Sequence, residues 1–195
     1  MNNLLKSFKL TLAFCMLFSV LYLFILWVFA KVAGPNGGEA EVVVVDGKVV
    51  GATHVGQLFT KDIYFWGRPS CAGEGYDASG SAGSNKGATN PEYLQEVGAR
   101  IDTFLVKHPY LQRSEVVAEM VTASGSGLDP EISGAGAYIQ IKRVAQARGM
   151  SEERVKAVVD RHIKGPLWGL FGPASRVNVL KLNVALDKIQ KEKEK

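Results

Sequence analysis

Residues 10–30 read LTLAFCMLFSVLYLFILWVFA, a 21-residue apolar run without a charge, a glycine or a proline. A helix rises about 1.5 Å per residue, so such a run reaches about 30 Å, the thickness of a bilayer's hydrocarbon core. The run predicts a membrane span that divides the 195-residue chain into unequal parts. Residues 1–9 form a cytoplasmic tail, 10–30 the transmembrane helix, 31–38 a linker, 39–189 an extracytoplasmic domain of mixed α/β (α+β) class, and 190–195 a charged tail.

The orientation rests on flanking basic residues, which tend to stay cytoplasmic. Lys6 and Lys9 precede the span, whereas Glu39, Glu41 and Asp46 separate Lys31 from the next basic residue, Lys48. Trp27 lies near the exit end, where it can sit at the headgroups. Val28-Phe29-Ala30 offers a competing reading as a signal-peptide cleavage site. The 21-residue core exceeds the roughly 7–15 residues of a signal peptide, which favours a retained anchor.

The net charge of +4 includes Lys6 and Lys9. What remains is nearly balanced, so no nucleic-acid partner is implied. The tail QKEKEK alternates in sign and reads as a solvated end. Cys15 lies in the span and Cys71 in a polar loop, so the domain is expected to fold without an intrachain disulfide.

Local signals place the elements of the domain. Gly34-Pro35-Asn36-Gly37-Gly38 stops the first helix. Glu41–Ala52 reads EVVVVDGKVVGA, two Val-rich runs around Asp46-Gly47, the pair favoured in a two-residue type I′ hairpin. Residues 67–91 are 25 residues rich in Gly, Ser, Ala and Asn. Ordered loops of this length are uncommon and often functional. Arg68-Pro69, Tyr76-Asp77 and Asn85 punctuate it, so it is read as an ordered, partner-contacting loop rather than a tether. Asn90 caps the next helix, Pro91 suits its first position, and Leu94, Val97, Ile101, Phe104 and Leu105 share a face up to His108-Pro109. Residues 115–122 are read as a buried strand running into the polar loop Thr122–Pro130. Helices are expected over 134–148, over 152–164 and from about Asn178, with Ser133 and Ser151 as caps and Gly149 as a stop.

Catalytic templates fail. HExxH, paired CxxC and GxSxG are absent, and His54, His108 and His162 stand far apart. Gly80–Gly87 lacks the GK[ST] ending of a phosphate loop. Ser124–Asp129 can present amides and hydroxyls to a ligand, and Asp129 can hold a cation or an arginine. Ordinary turn chemistry explains the same residues. A hydrolase built on Ser124 or Ser126 would need a histidine base that no motif supplies. The span carries no ionisable residue that would mark an ion path.

Several strings occur together and in order: Gly56-Gln57-Leu58-Phe59, Tyr64–Ser70, Ser79–Asn85, Thr89-Asn90-Pro91, Val121–Pro130 (VTASGSGLDP), Gln140 with Arg143-Val144-Ala145, and Arg176–Asn183 (RVNVLKLN) with Ala185-Leu186-Asp187. Nearly the whole chain thereby resembles the C subunit of the Kdp high-affinity potassium-transporting P-type ATPase. The resemblance implies a bacterial inner-membrane complex. In it a channel-like A subunit selects potassium, a B subunit hydrolyses ATP and a small F peptide accompanies them. The C subunit is implied to be non-catalytic, to assemble and stabilise A with B, and to act as a catalytic chaperone raising the ATP affinity of B. No firmly bound cofactor is implied, and ATP enters through the complex.

Gln140 matches a family glutamine and stands as a candidate nucleotide contact, in a chain that would then be a direct nucleotide-binding regulator. The alternative is a helix-surface amide serving an interface. An extracytoplasmic domain cannot touch cytoplasmic nucleotide, so any effect on ATP affinity is expected to be indirect. Arg68, Ser70, Asn85, Asn90, Ser124, Ser126 and Asp129 are expected in structured loops facing the external mouth of the A subunit, where hydroxyls and acids would concentrate K⁺ weakly. The chain departs from the family pattern at Ala88, Glu131 and Gly134, where Pro, His and Pro are common.

Overall fold

The computed structural model describes residues 2–193, so Met1 and the last two residues of the expected charged tail lie outside the described residues. The chain parts into two compact units between Glu41 and Val42.

The first unit is helical. Helix α1 (Asn2–Met16) passes through a π-wound segment, Leu17–Tyr22, into α2 (Leu23–Ala33). Residues Asn3–Ala33 make one helix long and apolar enough to cross a membrane, and no residue of its apolar window is buried. An exposed helix that is apolar all round suits lipid rather than water. The helix stops at Gly34, where a Cβ would lie 2.3 Å from the carbonyl oxygen of Ala30. Lys31 then pairs with Glu39.

The second unit opens with the expected hairpin. Strands β1 (Val42–Val45) and β2 (Lys48–Ala52) pair antiparallel, with Val45 opposite Lys48 and a bulge between Val43 and Val44. Asp46 and Gly47 have φ of 51° and 76°, as a type I′ turn requires. Helix α3 (Pro91–Lys107) starts where its cap predicts, with the Asn90 side chain accepting from the Tyr93 amide at 3.0 Å. A two-residue ladder pairs β3 (Glu131–Ile132) with β4 (Val177–Asn178). Helices α4 (Gly134–Tyr138), α5 (Ile141–Arg148), α6 (Glu152–His162) and α7 (Val179–Lys193) complete it. Phe65, Phe104, Met120, Ile132, Val144, Val155, Val159, Val177, Leu182 and Leu186 form one core.

Three expectations need correction. Residues 115–122 are not a strand but two 3₁₀ turns, Arg113–Glu115 and Ala118–Met120. They turn Met120 and Val121 inward together, a task that a two-residue strand period cannot do for adjacent positions. The helix expected over 134–148 is broken at Ile139-Gln140, dividing α4 from α5. Gly134 and Gly136 give its first part weak helical propensity. The helix expected to reach Lys164 ends at His162, because Lys164 instead exchanges backbone hydrogen bonds with Arg176 at 2.8 and 2.9 Å.

Candidate functional site

The residues singled out in the two polar loops come together. Carbonyls and hydroxyls lace residues 68–82 to residues 123–129. The Ser70 hydroxyl donates to the Gly127 carbonyl at 2.6 Å and accepts from the Tyr76 and Ala72 amides. The Ser124 amide donates to the Pro69 carbonyl at 3.2 Å, and the Ala82 amide to the Ser126 carbonyl at 3.0 Å. Arg68 donates to the Asp129 carboxylate and to the Ala123 carbonyl, both at 3.3 Å. The loop of 67–91 is therefore ordered by pairing with 122–130, although almost none of it is helix or strand.

Within this lace the serines act locally. Ser124 Oγ accepts from the Gly127 amide at 2.9 Å, and Ser126 Oγ from the Leu128 amide at 3.1 Å. Both hydroxyls thus do turn chemistry. Asp129 holds an arginine through one oxygen, and its other oxygen accepts from the Glu131 amide at 3.0 Å. Tyr76 donates its hydroxyl to the Arg68 carbonyl at 2.7 Å, and burial together with the Asp129 charge pushes its pKa up to about 12. Asn85 (φ 48°) stands apart, in an open hollow of about 620 Å³ lined by residues 83–87 and 123–125. Asn90 is occupied by the α3 cap. Among the described residues no cluster of His, Cys, Asp and Glu could hold a metal ion.

Gln140 is not a surface amide. It is fully buried at the break between α4 and α5. Its oxygen accepts from the Trp66 amide and from Arg143, each at 2.8 Å, and its nitrogen donates to the Gly136 and Trp66 carbonyls at 3.0 and 3.2 Å. An amide with two donors and one acceptor so engaged has nothing left for a nucleotide.

Sequence reasoning missed the buried polar network around it. Arg143 lies with its guanidinium 4.0 Å from the centre of the Trp66 ring. It donates to the carbonyls of Asp62 and Tyr64 at 2.6 and 3.0 Å and to His108 Nε2 at 2.9 Å. Asn183 grips Phe65 through both its amide and its carbonyl, at 2.8 and 3.0 Å. Arg148 reaches Ile63 and Asp187, and Glu119 caps the start of α4 through Ser133. These side chains fix segment 62–66, which leaves a turn closed by the Tyr64 amide on the Lys61 carbonyl, against α5 and α7, and so position the start of the lace at Arg68. The available signal was a polar residue inside an apolar helix face, Arg143 beside Ile141 and Val144.

The network makes stability pH-dependent. His108 Nδ1 lies 2.7 Å from the Phe104 carbonyl, and Nε2 accepts from Arg143. The ring is thereby held as the neutral Nδ1–H tautomer, and burial, reinforced by Arg143, depresses its pKa from 6.5 to about 4. The unfolded chain takes up this proton first as pH falls. Stability should thus be full above pH 6.5 and fall by up to about 3 kcal/mol as pH approaches 4. Thermal melts of the wild type between those limits should show that decline, and His108→Gln should flatten it.

The family described as "K+-transporting ATPase, c chain" matches residues 4–188. The chain belongs to this family. The Potassium-transporting ATPase KdpC subunit of Bacteroides thetaiotaomicron is 68% identical over 187 residues, covering 96% of this chain and 98% of the relative. The equivalent subunit of Phocaeicola vulgatus is also 68% identical, over 96% of this chain and 99% of its own. That of Caldanaerobacter subterraneus subsp. tengcongensis is 45% identical over 96% of both. The matched residues take in the long apolar helix, the lace and the buried network of this chain.

Proposed function

We propose that the chain is the membrane-anchored, non-catalytic subunit of an ATP-driven potassium uptake complex. The observation that carries the reading is the family match from residue 4 to residue 188, helix and domain together. In this reading α1 and α2 cross the bacterial inner membrane once, with the N-terminus cytoplasmic and the domain extracytoplasmic. The chain holds a channel-like A subunit in register with the ATP-hydrolysing B subunit, beside the small F peptide. Any rise in the ATP affinity of B is transmitted through assembly, because the buried Gln140 amide is already satisfied. The lace of 68–82 on 123–129 is the surface offered to A. Its polar groups are mostly spent inside the loops, so it contributes shape and rigidity rather than a potassium site.

The test is complementation. A host lacking this chain should fail to grow when potassium is scarce, and the wild-type chain should restore growth. Asp129→Asn removes the charge on a partly exposed pair at 3.3 Å, which costs about 1 kcal/mol or less. It should lower recovery of the complex and its apparent potassium affinity modestly, by about two- to fivefold. No change in either would remove the lace from the interface.

A further inference from the structure

Between α6 and β4 the chain makes a small apolar tip that the domain core does not use. Residues 165–173 read GPLWGLFGP. Leu167 and Phe171 exchange backbone hydrogen bonds at 2.7 and 3.0 Å, and below them Lys164 and Arg176 do the same. The result is a short ribbon closed at its end. Trp168 and Leu170 are about four-fifths exposed, at 82% and 80%, and Leu167 and Phe171 more than half. The Trp168 and Phe171 rings meet edge-on at 6.2 Å. Trp168 has φ of 53°, a conformation that bulky side chains rarely adopt, so the backbone holds the indole outward at a cost. Single exposed apolar residues are ordinary, but four large ones at one tip mark a contact surface.

The surroundings choose among contacts. Residues 161–176 contain Arg161, Lys164 and Arg176 and no acid. Glu131 approaches Arg176 at 3.8 Å, and among the described residues the buried Nε of Arg176 has no hydrogen-bond partner. An apolar tip with a basic collar complements the boundary between acyl chains and anionic headgroups, where Trp is the preferred anchor.

We propose that the tip formed by Leu167, Trp168, Leu170 and Phe171 dips into the bilayer surface, with Arg161, Lys164 and Arg176 on anionic lipid headgroups, making a second membrane contact besides the span. This rests on the anchored reading of α1 and α2, which the same experiment checks separately.

The full chain, alone and within its purified complex, is reconstituted into phosphatidylcholine–phosphatidylglycerol vesicles with or without bromine on the acyl chains. Subtracting the emission of Trp168→Phe isolates Trp168, and subtracting Trp27→Phe isolates the span. Bromine should quench both, Trp168 by about half. The Trp168 quenching should fall when Lys164→Gln and Arg161→Gln are combined or phosphatidylglycerol is left out. Quenching of Trp27 without Trp168, with Trp168 open to aqueous iodide, would overturn the tip contact and leave the anchor standing. Quenching of neither would overturn both. Trp168 shielded from bromine and iodide alike in the complex would assign the tip to a partner protein and overturn the lipid contact.

Discussion

Arg143→Leu should be the most damaging single substitution in the domain, lowering stability by about 3–5 kcal/mol and the melting temperature by about 10 °C. The side chain is 5% exposed and its guanidinium replaces water for four acceptors: the carbonyls of Asp62 and Tyr64, the Gln140 oxygen and His108 Nε2. Leucine fills part of the volume and satisfies none of them, and buried acceptors stranded in this way each carry a desolvation penalty. Among the described residues no carboxylate pairs with Arg143 directly, and burial lowers its pKa to about 10, which still leaves it charged at neutral pH. Arg143→Lys keeps the charge but loses the planar fork and the stacking on Trp66, so it should recover less than half of the loss. Denaturant melts of the three proteins check the order. Equal stability of wild type and Arg143→Leu would mean that the network is ornamental to the fold.

Gly127→Val should have the next largest effect, and a different one. Gly127 has φ of 68°, and a Cβ there would meet the Ala82 carbonyl oxygen at 2.6 Å and the backbone nitrogen of Ala72 at 2.8 Å. Both obstacles are backbone of the opposing loop, so neither can swing aside as a side chain could. A β-branched residue in this conformation costs about 1–2 kcal/mol and the overlap about 1–3 more. The cheapest relief is to part the loops, which breaks the Ser70 bond to Gly127 and frees residues 70–90. Limited proteolysis should then cut within that stretch while the helical core melts nearly as before, and recovery of the complex should fall by about tenfold. Gly80→Ala, in the same stretch but with open space around it, should be cut no faster than wild type.

These two positions also show what the amino-acid order discloses and what it hides. The hairpin at Asp46-Gly47, the α3 cap at Asn90 and the apolar helix rest on signals within a few residues, and each is present as expected. The order of the 67–91 loop was legible from its punctuation, and its pairing with 122–130 brings together Ser70, Ser124, Ser126, Arg68 and Asp129. The polar network was not legible. Gln140 meets Trp66 across 74 residues and Asn183 meets Phe65 across 118, distances over which no local periodicity carries information. The run Val116, Val117, Met120, Val121 fitted a strand only because a short apolar run does not declare its own period. Gln140 was misplaced for a different reason: glutamine is a residue usually exposed, whereas here it shares the inward face with the buried Gly136, Ala137 and Val144, three or four residues away.

The most direct test of the account is affinity purification of the tagged full-length chain from its native host in mild detergent, with the co-purifying proteins identified and potassium-stimulated ATP hydrolysis assayed. The account predicts recovery of a P-type ATPase and a channel-like subunit in one active complex. Recovery of the chain alone, with both partners expressed in the same cells, would contradict it.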